Sequence, residues 1–278
     1  MEIRATVVTE NSVYHRCGLL AEHGWSVFIE TPAGSLLFDT GQGMALRNNA
    51  GRLGLDLKGL AGIVLSHHHW DHTGGLKDVL AETGDIPVFA HPDLFKKSFR
   101  RKDGVLREVG IPFGREELER RGARFDWSRT VREVAPGILL TGEIPRTTEF
   151  ESGDPDLLVY DEQVGGYRQD PLHDDQALVI HTRRGLCVLL GCSHAGLINT
   201  LNHIVRHTGE KRISTLFGGT HLGPLPPPVV EATIAALKEF DIERIGVSHC
   251  TGRKPSLRLQ AELGGRFFFC NTGDTVTV

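Results

Sequence analysis

Short apolar runs separated by small polar clusters punctuate the chain, and their period sets the elements expected. Residues 3–9 alternate apolar and polar and predict a first strand. The runs 27–30 and 35–41 flank Thr31-Pro32-Ala33-Gly34 and predict a hairpin. A loop-and-helix segment at 42–60 leads to Leu60-Ala61-Gly62-Ile63-Val64-Leu65, which reads as a buried strand. A helix over 76–83 and a strand over 87–92, closing on His91, come next. His91 is expected either to line a site at the strand end or, beside Pro92, to serve a plain turn. The second half repeats strand and helix: strands at 177–180 and 186–190, a helix at 197–207, and a strand at 213–217. Pro226-Pro227-Pro228 then opens a helix over 229–240, since proline is tolerated in a first turn. A strand at 244–247, a helix at 256–263 and strands at 266–270 and 275–278 complete the pattern.

Residues 93–172 behave differently. Acids and bases alternate there with glycine, and long apolar runs are few. A helix with internal charge pairs is expected at 115–121, a hairpin around Pro136-Gly137, and an irregular loop at 154–166. The basic cluster Lys96, Lys97, Arg100, Arg101 and Lys102 reads first as a solvated face, and second as a lid that attracts an anion. The whole segment is read as a lid-like insertion in a single domain spanning 1–278, and such loops set substrate choice.

The apolar strands of this chain stop on histidine. After Leu65 comes Ser66-His67-His68-His69-Trp70-Asp71-His72-Thr73-Gly74-Gly75. Residues two apart in extended chain point the same way, so His67 and His69 can grip one ion while His68 points elsewhere. Asp71 and His72 follow as the chain turns, and face a second position. Imidazole nitrogen and carboxylate oxygen suit zinc, iron or manganese. Three later strands stop in the same manner, at His194, His221 and His249. Strand ends on one rim are where open α/β sheets bind ligands. Asp39 also ends a strand, where it either orients a metal-binding histidine or caps a turn.

Composition narrows the class only slightly. At 278 residues, 24% charged and 40% hydrophobic, with a formal net charge of −4, the chain is that of an ordinary globular protein without the basic stripe of a nucleic-acid binder. No apolar run approaches the roughly 18 residues of a membrane span, and no signal peptide is evident, so a cytoplasmic location without membrane association is expected. Cys17, Cys187, Cys192, Cys250 and Cys270 lack paired short spacing, which suggests reduced thiols and leaves histidines as the principal ligands.

The His-x-His-x-Asp-His stretch resembles the metallo-β-lactamase superfamily. The set Glu22-His23-Gly24, Phe38-Asp39-Thr40-Gly41, Gly191-Cys192-Ser193-His194, Gly219-Thr220-His221-Leu222 and Ser248-His249-Cys250-Thr251-Gly252 is similar to the branch named after dihydropterin-ribofuranosylaminobenzene-phosphate synthase. The resemblance covers most of the chain outside 93–172. It implies an αββα sandwich, with two mixed β-sheets flanked by helices and a one- or two-metal site on the rim. It raises Asp39 as the orienting carboxylate and makes His23, beside Glu22, a pocket residue.

With three protein ligands for each ion, His67, His69 and His194 are assigned to a first metal, and Asp71, His72 and His249 to a second. Zinc is the metal favoured, with iron or manganese as alternatives. In the superfamily an aspartate after a glycine bridges the two ions; here that place is Cys192. Either Cys192 ligates instead or Asp175 reaches in. His221 is then a ligand in place of His194 or, preferred, a catalytic group that gives a hydrogen bond or a proton to the leaving group. A site with two divalent ions and one carboxylate keeps a positive balance and favours a small anionic substrate. The reaction expected is hydrolysis of a phosphoester or phosphodiester by a metal-bound hydroxide. The alternatives are a transferase condensing a dihydropterin pyrophosphate with ribofuranosylaminobenzene phosphate, as the branch name implies, and a metal-binding sensor with little hydrolysis. No nucleic-acid partner is expected, and a homo-oligomer is compatible with the sequence.

Overall fold

The computed structural model describes residues 3–14 and 18–278. Cys17 lies outside the described residues. In chain order, β1 (Arg4–Thr9) is followed by the hairpin β2 (Ser26–Thr31) and β3 (Gly34–Phe38), then α1 (Leu46–Leu53) and β4 (Leu60–Val64). The one-turn α2 (Trp70–Thr73), α3 (Leu76–Thr83) and β5 (Ile86–Ala90) come next. Then follow β6 (Ser98–Lys102), β7 (Val105–Glu108), α4 (Arg115–Arg120), β8 (Ala123–Trp127), β9 (Arg132–Ala135) and β10 (Ile138–Leu140). The strands β11 (Leu157–Asp161) and β12 (Gly166–Gln169) precede β13 (Ala177–Thr182), β14 (Gly185–Leu190) and α5 (Leu197–Thr208). The chain ends with β15 (Arg212–Gly219), α6 (Pro227–Leu237), β16 (Asp241–Ile242), β17 (Ile245–Ser248), α7 (Arg253–Leu263), β18 (Phe267–Phe269) and β19 (Thr275–Thr277).

Two mixed sheets result. One has the order β19-β1-β2-β3-β4-β5-β8, antiparallel as far as β3 and parallel beyond it. The other runs β18-β17-β15-β14-β13-β10-β9, with β16 beside β15, and is parallel from β14 to β18. Strand alternation sorts their side chains into three apolar layers. Leu36, Phe38, Val64, Leu178, Ile180, Leu189 and Phe217 come from both sheets and fill the space between them. Leu37, Ile63 and Val88 face the other way, onto Leu46 of α1, Val79 and Leu80 of α3 and Leu118 of α4. Val179, Val188, Ile213 and Leu216 pack on Leu201 and Ile204 of α5, Ile234 of α6 and Leu259 of α7. The layers therefore stack helix, sheet, sheet, helix, as the resemblance implies.

A third sheet, of order β12-β11-β6-β7, departs from the sequence reading. The stretch 154–166 is not an irregular loop: β11 pairs with β12 across a tight turn and with β6 some 60 residues earlier. The basic run 98–102 is β6, so its side chains are divided between two faces. Local pattern cannot reveal these pairings because β6, β7 and β12 are short and largely polar. Other parts of 93–172 belong to the sandwich, with β8 at one sheet edge and β9 and β10 at the other.

Candidate metal centre

The strand ends carry the site, and unusual backbone aims them. Asp39, Ser193, His221 and His249 each have positive φ, at 57°, 59°, 48° and 50°. Non-glycine residues seldom adopt this left-handed geometry, and it concentrates at functional sites. Gly75 lets the loop after β3 lie against the histidine stretch, because a Cβ there would meet the Thr40 carbonyl oxygen at 2.2 Å.

The ring nitrogens converge in two groups. His67 Nε2 lies 3.0 Å from His69 Nδ1 and 3.3 Å from His194 Nε2. His72 Nε2 lies 3.2 Å from His249 Nε2, which is 3.3 Å from Asp71 Oδ2. Asp71 also meets His23 Nε2 at 3.2 Å. All are buried except His23, which is mostly exposed.

The far sides of these rings are held by acceptors. Asp39 Oδ2 is 2.7 Å from His72 Nδ1 and accepts the Ser66 hydroxyl at 2.6 Å. That leaves the Ser66 oxygen to accept from His67 Nδ1 at 2.9 Å. Asn11 Oδ1 lies 2.9 Å from His249 Nδ1. Each such bond places the proton on Nδ1 and turns the Nε2 lone pair inward. Three imidazole nitrogens turned inward in this way suit a cation. Burial and the neighbouring imidazoles hold His67 and His194 well below the usual histidine range, and burial with His68 does the same for His69. Those rings are neutral and ready to ligate. Burial would raise the Asp71 carboxyl, but hydrogen bonds from His23 and His249 outweigh it and keep it ionised. Imidazole, thiol and carboxylate donors in this number fit a divalent transition metal.

Cys192 sits between the two groups. Its Sγ is 3.1 Å from His72 Nε2. It belongs both to a cluster with His67 and His194 and to one with His72 and His249, in each of which the donor atoms lie within 4.8 Å of one another. Asp175 does not reach in. It lies behind this loop, where its Oδ2 accepts the Ala195 N–H at 2.9 Å, and burial pushes its carboxyl up to about 6. Of the two residues weighed for the place of the bridging carboxylate, Cys192 lies between the two donor groups and Asp175 does not.

His221 meets a partner from the third-sheet segment. Its Nε2 is 3.1 Å from Asp154 Oδ2, its backbone N–H donates to Cys250 Sγ at 3.2 Å, and its ring stacks at an angle 4.1 Å from that of His194. Burial would lower its pKa, but Asp154 and Cys250 outweigh burial and raise it to about 9. Burial pushes the Cys192 thiol up; despite the same burial, Cys192 and His221 pull the Cys250 thiol down. The described cysteines are free thiols.

Two expectations shift, those for Glu22 and His91, while His68 points away as expected. Glu22 does not face the site: its carboxylate accepts the N–H groups of Gln42, Met44 and Ala45 at 3.0 Å and fixes the loop entering α1. His91 is buried away from the metal groups. It accepts the Asp93 N–H at 3.1 Å and bonds Glu143, the turn role. His68, pointing away, enters a buried network: Nδ1 is 2.6 Å from Asp174 and Nε2 2.5 Å from Ser98 of β6, while Lys96 bridges Asp170 and Asp174 at 2.8 Å each.

Sequence reading missed Glu10, Asn11, Asp154 and Cys250. Glu10 accepts the His249 N–H at 2.7 Å, and Asn11 holds that ring. Glu10-Asn11 just past β1 is a polar pair at a strand end, a signal like the one that drew attention to Asp39. A cavity of about 500 Å³ opens over the site, lined by His69, Asp71, Cys192, His194, His221 and His249 on one side and by third-sheet residues on the other.

The family model of the metallo-beta-lactamase superfamily matches residues 20–249. A 7,8-dihydropterin-6-methyl-4-(beta-D-ribofuranosyl)-aminobenzene-5'-phosphate synthase of Methanocaldococcus jannaschii is 31% identical over 261 residues, covering 91% of this chain and 88% of that protein. An uncharacterized protein of the same organism is 30% identical over 91% of this chain and 92% of its own length. The crystal structure of Tm1679, a metal-dependent hydrolase of the beta-lactamase superfamily, superposes with a TM-score of 0.85 at 28% identity, covering 99% of each chain.

Proposed function

The chain belongs to the metallo-beta-lactamase superfamily, and from that premise we propose that it is a metal-dependent hydrolase acting on a phosphoester or phosphodiester of a small anionic metabolite. The observation that carries this reading is the pair of inward-facing donor groups joined by Cys192 beneath an open cavity. In it His67, His69 and His194 would hold one ion and Asp71, His72 and His249 a second, with Cys192 within reach of both groups. Divalent ions held there, zinc by donor preference, would supply Lewis acidity toward a phosphoryl oxygen and a water nucleophile at neutral pH. Asp39, Ser66 and Asn11 keep the ligating rings turned and in the right tautomer. His221, protonated through Asp154, faces the same cavity and gives its proton to the departing oxygen.

The test is turnover of bis(p-nitrophenyl) phosphate with metal content measured alongside. His221→Ala is expected to keep its metal and to lose about two orders of magnitude in kcat. Metal loss in that variant would move His221 into the ligand set, and absence of turnover in fully loaded protein would end the hydrolase reading.

The 31% identity to the synthase favours a second reading, in which the same site condenses a dihydropterin pyrophosphate with ribofuranosylaminobenzene phosphate. Both readings require a site that takes a phosphoryl group. Pyrophosphate release that requires both substrates would select the second.

A further inference from the structure

We propose that the β6–β7 ribbon forms a second anion subsite, which holds a phosphate monoester group of the substrate apart from the reacting ester. The inference rests on the phosphoryl substrate proposed above and adds what the far end of that substrate carries. The register places Arg100 directly opposite Arg107. Directly paired side chains share a face of the sheet, and so do residues two apart on one strand, so Lys102 lies beside Arg100 on that face. All three line the cavity that opens over the histidines.

Like charges opposed across a strand pair are destabilising, so this arrangement works against the fold. Several other exposed cations are ion-paired, among them Arg115 with Glu119, Arg168 with Asp161 and Arg258 with Glu231 and Glu262. Here only Arg100 has a carboxylate, Asp154 at 3.5 Å, and that carboxylate is already engaged by His221. Lys102 and Arg107 have no ion-pair partner among the described residues. Glu108 also reaches the cavity, so the lining keeps an excess of positive charge. Two guanidinium forks and an ammonium around one space match the several acceptor oxygens and the double charge of a phosphate monoester better than a single carboxylate.

The test compares fructose 1,6-bisphosphate with fructose 6-phosphate by calorimetric titration of the metal-loaded, full-length protein. The wild type is expected to bind the bisphosphate about tenfold more tightly or better, the range of a charged hydrogen-bonding contact. Arg107→Gln and Lys102→Gln should each bring that ratio to about threefold or below. Their melting temperatures should stay at or above the wild-type value, because a repulsion has been removed. A wild-type ratio near one overturns the subsite, as does a wild-type ratio retained in both variants. The ratio does not depend on turnover. Protein that discriminates the two sugars but cleaves no phosphoester would overturn the hydrolase reading and support the subsite.

Discussion

In the proposed metal centre, Cys192 is the residue common to both donor groups. Its sulfur falls where both groups of imidazoles meet, and it is almost wholly buried. A thiolate there would serve two ions at once, as a bridging carboxylate does. Cys192→Ala should therefore lower bound metal from about two ions per chain to about one, since each site keeps three other donors but loses the shared charge. Cys192→Asp should restore most of it. Metal analysis after dialysis reads both variants, and full content in the alanine variant would remove the sulfur from the ligand set. Asn11 acts one layer further out, through the His249 ring. Asn11→Ala should weaken binding of the ion assigned to His249 about 10- to 100-fold, measured by competition with a chromophoric chelator. Unchanged affinity would mean that the tautomer of His249 is set some other way.

Among the elements, the third sheet is tied to the histidine stretch by a few polar contacts. It meets the histidine stretch through His68, Asp174, Lys96 and Ser98, all buried or nearly so. Burial would raise the Asp174 carboxyl, but His68 and Lys96 outweigh burial and hold it well below the usual carboxylate range. A depressed carboxyl contributes stability that is fully present above the ordinary aspartate value of about 4 and is lost as pH falls through the depressed one. Asp174→Asn leaves His68 without its anion and should cost about 3 kcal/mol at neutral pH, by urea unfolding. The variant should also lose stability less steeply than wild type on acidification below about pH 4. Parallel acid limbs for the two proteins would show that Asp174 is not the group responsible. Because this network ties β6 to the residue between His67 and His69, its loss should also loosen the cavity wall that carries Arg100 and Lys102.

For the whole molecule, the site is a rim on a scaffold whose apolar layers contain none of its proposed ligands. Those three layers hold both sheets and their helices. Removing metal should leave the secondary structure in place and lower the melting temperature. Saturation at about a thousand times Kd contributes about 4 kcal/mol, worth roughly 10 °C for a chain of this size. Circular dichroism before and after chelation, and after zinc is returned, measures both effects. An unchanged melting temperature would argue that no metal is held in the folded state, whereas collapse of the far-UV signal would show that the scaffold depends on it. No helix among the described residues is long and apolar enough to cross a membrane.

Most of the sandwich was legible in the chain, because its strands are apolar runs bounded by turns and its helices carry one apolar face. The spacing His67-x-His69-x-Asp71-His72 likewise placed four donors in two sets, since neighbours on an extended segment obey a period of two wherever the segment sits. The histidines that end β14, β15 and β17 were legible for the same local reason. What the tertiary structure alone decided were the meetings across distance: Cys192 between two metal groups, Asn11 behind His249, Asp154 on His221, and Arg100 opposite Arg107. Each depends on which strand lies beside which, and on register. Those are settled by how whole sheets bury their apolar faces, to which a polar residue's immediate neighbours in sequence contribute almost nothing. The histidine stretch thus announces a metal, while the partners that determine how the metal is held and what lies opposite it come from strands far away in sequence.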